Sequence, residues 1–313
     1  MRESADTKTG LPATLALPLE VAIRNVGVQS LTWTTPKGNG AISGITFGYA
    51  GGATAHALTD MRFATPDGTL TGGVTIGANA PFPLRGEVEF VGEGEWQGLH
   101  AAAKLTGPLE RLDLEATGTL REARIAARIV ATPFDAVPIV SADIDATAVD
   151  IAQWDASWPA TNLSLKLVAR PAGTGFAGTI DARNAEAGPL DRSRIPAQSL
   201  TAQFDWRDGT LTLSDAVVNI IGGGVASGRI TIPTGGGAST FALQLRDVDL
   251  ARIQSTLLTT RLSGTLAADV TGTRQSVRGD LREEGRALAF AAVVEDKRVR
   301  IDSFRATAAG GDR

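Results

Sequence analysis

The 313-residue chain has no cysteine, two histidines and one tyrosine. Without cysteine there is no thiol catalysis, no disulfide framework and no cysteine-ligated metal. His56 and His100 stand far apart in sequence with no acidic or histidine cluster beside either, so neither marks a metal site or a proton-transfer centre. No block of one charge sign occurs: 30 Lys and Arg are interspersed with 34 Asp and Glu for a net charge of -4. With no basic stripe to neutralise phosphates, nucleic acid is not an expected partner. No run approaches ~18 apolar residues, and the opening Met1 to Gly10 (MRESADTKTG) lacks a signal-peptide core, so no membrane span is expected within these residues. P-loop, nucleophile-elbow and H-E-x-x-H motifs are missing too. The expectation is a protein that is not an enzyme, with no catalytic, cofactor-binding or metal-ligating residue.

What the sequence does have is short, repeated alternation of apolar and polar residues, the pattern of a strand that buries one face and wets the other. It occurs at Val88 and Phe90 in GEVEFVG, Leu112 and Leu114 in RLDLEATG, and Leu163, Leu165 and Leu167 in NLSLKLVA. It recurs at Leu211 and Leu213 in DGTLTLSD, Ile230 and Ile232 in GRITIP, Phe241, Leu243 and Leu245 in TFALQL, and Val299 and Ile301 in VRID. Turn signals such as Pro66-Asp67-Gly68, Asp208-Gly209 and Gly235 to Gly237 fall between the runs. The pattern predicts an all-β, antiparallel protein with one apolar face. At roughly 11 residues per strand and turn the chain would supply about 28 strands. Only single helical turns are expected, at Asp150 to Trp154 and Asp249 to Gln254, and Arg121 to Ile129 reads as strand.

The remaining motifs have plain readings. Gly173 to Gly178 (GTGFAG) matches the dinucleotide fingerprint literally, but no helix pattern follows it, so a glycine-rich hairpin is expected. Asp143 with Asp145, and Asp247 with Asp249, place pairs of carboxylates on one strand face, too few oxygens for calcium and suited to a solvated outer face. The sequon at Asn162 sits inside an alternating run. Trp33, Trp96, Trp154, Trp158 and Trp206 are read as caps at the ends of the apolar face rather than as carbohydrate platforms.

A repeat emerges when segments are stacked. Ala146 to Ile151 (ATAVDI) resembles Leu245 to Leu250 (LRDVDL) at an offset of 250 − 151 = 99. Leu211 to Gly223 lines up with Val299 to Gly311 at 311 − 223 = 88, which puts an 11-residue insertion (99 − 88) in the first copy, within Glu186 to Ile195. The expected organisation is a poorly ordered start over 1–16, a first section over 17–142, repeat copy one over 143–241 and a truncated copy two over 242–313.

Leu17 to Trp33 (LPLEVAIRNVGVQSLTW), LRGEVEFVG, KLTGPLERLDLEATGTL and the stretch Val248 to Leu266 resemble the TamB family, the inner-membrane subunit of the translocation and assembly module of diderm bacteria, within the AsmA-like and bridge-like lipid transfer superfamily. The resemblance runs over most of the chain and marks it as an internal fragment lacking the family's membrane anchor and C-terminal domain. It implies an elongated antiparallel repeat array curled into an open apolar trough (a β-taco), lined by the sixteen apolar residues from Val88 to Ile301 quoted above for the alternation. It also implies a periplasmic location, phospholipid acyl chains as cargo passing between inner and outer membranes, and an outer-membrane BamA-like partner, TamA, met through the full-length protein. Two other readings stay open: assembly of outer-membrane or autotransporter proteins with that partner, and a closed structural β-stalk or adhesin segment.

Overall fold

The structure, a computed structural model, describes residues 12–35, 38–135, 137–155, 157–296 and 298–308. Among these residues it is all-β: nineteen strands in an antiparallel sheet that is not closed on itself, with one four-residue helix and three single 3-10 turns. The strands number nineteen rather than about 28 because they run 9 to 15 residues, and three of the connections, 150–162, 185–196 and 249–261, are long. The single turns fall where the sequence places them, at Ile151–Gln153 and, as helix α1, at Leu250–Ile253, each capped by the preceding aspartate. Two further turns, Gly94–Trp96 and Leu190–Arg192, carry no periodic signal and were not expected. Residues 1–11 of the expected disordered start lie outside the described residues. Residues 12–16 are held, with Thr14 Oγ1 and Leu15 N both donating to the Ala78 carbonyl.

Two compact units divide the chain, and each is described by itself. The first holds β1 (Val21–Thr35), β2 (Gly38–Gly51), β3 (Ala55–Thr65), β4 (Gly68–Gly77), β5 (Pro83–Gly92), β6 (Leu99–Pro108) and β7 (Leu112–Leu120), each paired antiparallel with the next. Strand β8 (Ala123–Ala131) occupies the segment read as REARIAARI. The second unit holds β9 (Ile139–Val149), β10 (Leu163–Ala172), β11 (Gly175–Asn184), β12 (Ala197–Arg207), β13 (Thr210–Ile220) and β14 (Val225–Pro233). It continues with β15 (Ser239–Val248), β16 (Leu262–Thr271), β17 (Arg274–Glu283), β18 (Arg286–Glu295) and β19 (Arg298–Ala308). This is again a meander of antiparallel neighbours, unlike the parallel coils of a β-helix. The GTGFAG segment forms the β10–β11 hairpin, with Gly173 at φ +63° in the turn.

Bulges keep the apolar face in phase where simple alternation would lose it. One extra residue enters β3 between Leu58 and Met61, β9 between Ala146 and Val149, β13 between Leu213 and Ala216, and β15 between Leu245 and Val248. In each, one residue takes a left-handed backbone: Asp60, Ala148, Asp215 and Asp247, with φ between +49° and +55°. Three of the four are aspartates, whose short polar side chain tolerates that region. An apolar residue then follows at i+3 instead of i+2, so both flanking side chains stay on one face while the strand bends.

The second unit is built twice. Residues 163–172 and 175–184 (β10, β11) match 262–271 and 274–283 (β16, β17) at an offset of 99, and the bounds of β13 match those of β19 at 88. The bulges of β9 and β15 are equivalent, and so are the clasps beyond them. Asp150 Oδ1 accepts from Ala152 N and Thr161 N, and Thr161 Oγ1 donates to the Val149 carbonyl while accepting from Ile151 N. Asp249, Ala251, Thr260, Val248 and Leu250 repeat all four bonds. The inserted residues form the loop between Asn184 and Ala197, where copy two has the two-residue turn Glu284-Gly285.

Candidate functional site

The sequence-selected apolar residues gather on one face within each unit. In the first, Val88 lies between Gly72 and Ala103, Phe90 between Leu70 and Ala101, and Leu114 opposite Leu105, with Leu112 on the same side by alternation. All four are half-buried, while Glu87, Glu89, Asp113 and Glu115 between them are exposed.

In the second unit the register carries the same face across eleven strands. Leu163, Leu165 and Leu167 lie opposite Asn184, Ala182 and Ile180. Leu211 and Leu213 sit between Trp206 and Phe204 on one side and Ile232 and Ile230 on the other. Ile230 opposes Phe241, and Leu243 and Leu245 oppose Leu266 and Gly264 on β16. Val299 and Ile301 on β19 lie opposite Val294 and Ala292 on β18. Ala169, Ala202, Phe204, Leu213 and Ala216 are its most buried cluster, and every partner packed on that cluster comes from a strand of the same face. A second cluster around Val248, 2% exposed, adds Ile221 and Ile253 beyond the strand ends. The face is therefore a lateral apolar surface, buried by its own neighbours. The outer three large side chains, Val299, Ile301 and Phe304, are 66%, 61% and 65% exposed.

In the second unit, among the described residues, this face carries no ionisable side chain between strand ends. Among the described residues of that unit the register places only two on it, Glu283 and Arg286, opposite each other where β17 turns into β18. The opposite face is mostly polar in each unit and bears cross-strand ion pairs, such as Lys104 with Glu87 at 3.2 Å in the first and Arg170 with Asp143 at 3.3 Å in the second. These exposed pairs add little stability. Asp143 and Asp145 are thus partnered, by Arg170 and Lys166. Asp247 and Asp249 do not share a strand face as expected: Asp247 sits in the bulge and pairs with Arg261, and Asp249 caps α1. Among the described residues no group of three or more His, Asp or Glu could hold a metal.

His56 is engaged in structure. A carbonyl can only accept, so its Nε2–H donates to Leu15 O at 2.8 Å and its Nδ1 accepts from the Tyr49 hydroxyl at 2.8 Å, which ties segment 12–19 to β3. Trp206 stacks on Phe176 at the end of the apolar face, with ring centroids 6.4 Å apart, while Trp154 and Trp158 are exposed on the loop after β9. Glycines lie beneath the large rings: a Cβ at Gly279 would overlap the Phe290 ring, and one at Gly68 would reach Phe90. The rings thus lie down on neighbouring strands. Sequence reading missed these pairings, Glu283 and Arg286; only the spacing of glycine against aromatic in register would have shown the first.

Among the described residues no helix is long and apolar enough to cross a membrane. Comparison of the chain with protein-family models, with curated proteins and with solved structures finds no match.

Proposed function

We propose that this chain carries phospholipid acyl chains on its apolar face, as a periplasmic section of a bridge between the membranes of a diderm envelope. The observation that carries the reading is the eleven-strand face of Leu, Ile, Val, Phe and Ala, free of ionisable groups between strand ends. A phospholipid crossing water exposes its chains at about 0.8 kcal/mol per CH₂, so one ~16-carbon chain costs roughly 13 kcal/mol. An apolar surface without charge between its strand ends offsets that cost at each step. Aliphatic side chains offer no directional bonds, so the tail slides without deep traps. The bulges support a curled sheet, since each bends its strand and raises the local twist. The resemblance to the TamB family points the same way, and adds the inner-membrane anchor and TamA as expectations for the full-length protein.

Native mass spectrometry with lipid extraction, on the chain purified from bacterial membranes or periplasm, tests this. Phospholipid should accompany the wild type and be lost in Leu165→Asp and Leu243→Arg, but persist in Gln244→Arg, which puts the same charge on the other face. A lipid-free protein, or lipid retained by Leu243→Arg, would overturn the proposal.

A further inference from the structure

In the second unit the ionisable pair on the apolar face, Glu283 and Arg286, stands where the two repeat copies differ. At the β17–β18 turn a concavity of about 390 Å³ has an apolar floor of Leu262, Leu281, Leu288 and Ala306, and Glu283 and Arg286 stand at its mouth. The same two residues border a second hollow of about 600 Å³, rimmed by charged side chains, that also takes in Glu284. The charges around them are largely engaged. Arg261 pairs with Asp247 at 3.2 Å, Arg282 with Asp280 at 3.9 Å, and Glu283 Oε1 accepts from Arg261 N at 2.5 Å. Among the described residues Arg286 and Glu284 make no ion pair, so one guanidinium and one carboxylate stand ready beside an apolar cavity.

In copy one the matching end is closed. Asn184, the counterpart of Glu283, is 8% exposed, and its Oδ1 accepts from Asn162 N and from Glu186 N of the inserted loop. The loop bonds back to the β9–β10 connection through Ala160 N to Ser193 O. Copy two has only Glu284-Gly285 there, so its end is open.

We infer that this open end binds the head of a zwitterionic phospholipid, with the phosphate on Arg286, the ammonium on Glu284 and one acyl chain on the Leu262, Leu281 and Leu288 floor. The complementarity is of charge and polarity together: a guanidinium suits a phosphate, a carboxylate suits an ammonium, and the floor continues into the apolar face. The site rests on the proposed lipid-bearing role, to which it adds a head-group preference and a point of entry or exit.

Binding of three single-chain probes to the 313-residue chain separates the two ideas: lysophosphatidylethanolamine, lysophosphatidylglycerol and a monoacylglycerol, each titrated calorimetrically. Arg286→Gln should weaken both phosphate-bearing probes roughly tenfold or more and leave the monoacylglycerol unchanged, with Arg286→Lys partly restoring them. Glu284→Gln should weaken only the ethanolamine probe. Arg286 is exposed beside a turn, and an unchanged circular dichroism spectrum confirms that each variant folds. Equal affinity of wild type and Arg286→Gln for all probes would overturn the head-group site while leaving the apolar-face reading intact. Arg286-dependent binding that Leu243→Arg leaves intact, together with phospholipid still co-purifying with Leu243→Arg, would keep the site and overturn transport. Failure of every probe to bind the wild type would overturn both.

Discussion

Removing the Asp249 carboxylate should loosen the loop that follows β15 without unfolding the sheet. Its Oδ1 accepts two backbone amides, Ala251 N and Thr260 N, each at 3.0 Å, and Thr260 Oγ1 completes the clasp through Leu250 N and the Val248 carbonyl. Bonds to a charged acceptor contribute about 1.5–3 kcal/mol each, and an N-cap aspartate alone about 1 kcal/mol. The two amides share one oxygen, so Asp249→Ala should cost about 2–4 kcal/mol locally. Since roughly 1.4 kcal/mol is a factor of ten, the opening equilibrium of residues 249–261 should rise ~30- to 700-fold, read as faster amide exchange by mass spectrometry. Asp249→Asn keeps the acceptor and should cost about 1 kcal/mol. Asp150→Ala should reproduce the effect in residues 150–162, because its bonds of 3.2 and 2.9 Å are the same pair. Exchange within about threefold of wild type in Asp249→Ala would refute the clasp as a stabilising device.

At the β13 bulge, where Asp215 sits at φ +49°, Asp215→Val should cost about 1–3 kcal/mol in urea unfolding, while Asp215→Gly should be close to neutral. The hydroxyl and then the amide of Ser255 hold the Asp191 carboxyl below its usual range, so the tie between the inserted loop and the loop after α1 is at full strength above the usual carboxylate pKa. It should be lost only as pH falls through the depressed value, seen as a falling protection factor of the Ser255 amide relative to its intrinsic rate at each pH; an unprotected Ser255 amide at neutral pH would contradict it. Gly279→Ala should lift the Phe290 ring off β17 and reduce co-purifying phospholipid without adding charge, whereas Gly235→Ala, where a Cβ meets nothing, should leave lipid unchanged.

Much of the fold was legible because a sheet with one apolar face repeats the same polarity rule on every strand. Leu163-Ser-Leu-Lys-Leu167 and Leu112-Asp-Leu114 state that rule directly, and the register places them as the rule requires. What escaped is where the rule is suspended. At Leu213-Ser-Asp-Ala216 and Leu245-Arg-Asp-Val248 the aspartate reads as one more outward polar residue, although it is the left-handed residue that resets the phase. The clasps escaped because Asp249 and Thr260 are joined only through a loop that folds back on itself. The strand count was too high because the strands run 9 to 15 residues, well beyond the usual length of about five or six, and alternation does not say where a strand stops. Glu283 and Arg286 were invisible as a site because charges flanking a turn are what any hairpin carries.

The two copies also show how such a sheet can vary without losing its face. Alternation, bulge and clasp are held in common, and all three act on backbone phase, so none can change without moving a whole strand's side chains to the other surface. The turn between β11 and β12, or β17 and β18, lies outside that constraint. An insertion there costs little loop entropy, since closure grows only as the logarithm of length. In copy one the inserted loop seals the strand ends through Asn184 and reaches the next clasp through Asp191 and Ser255; in copy two the short turn leaves Arg286 and Glu284 in solvent. The proposed head-group recognition at the strand ends would therefore be free to change from repeat to repeat, while the apolar face that would carry the tails stays the same.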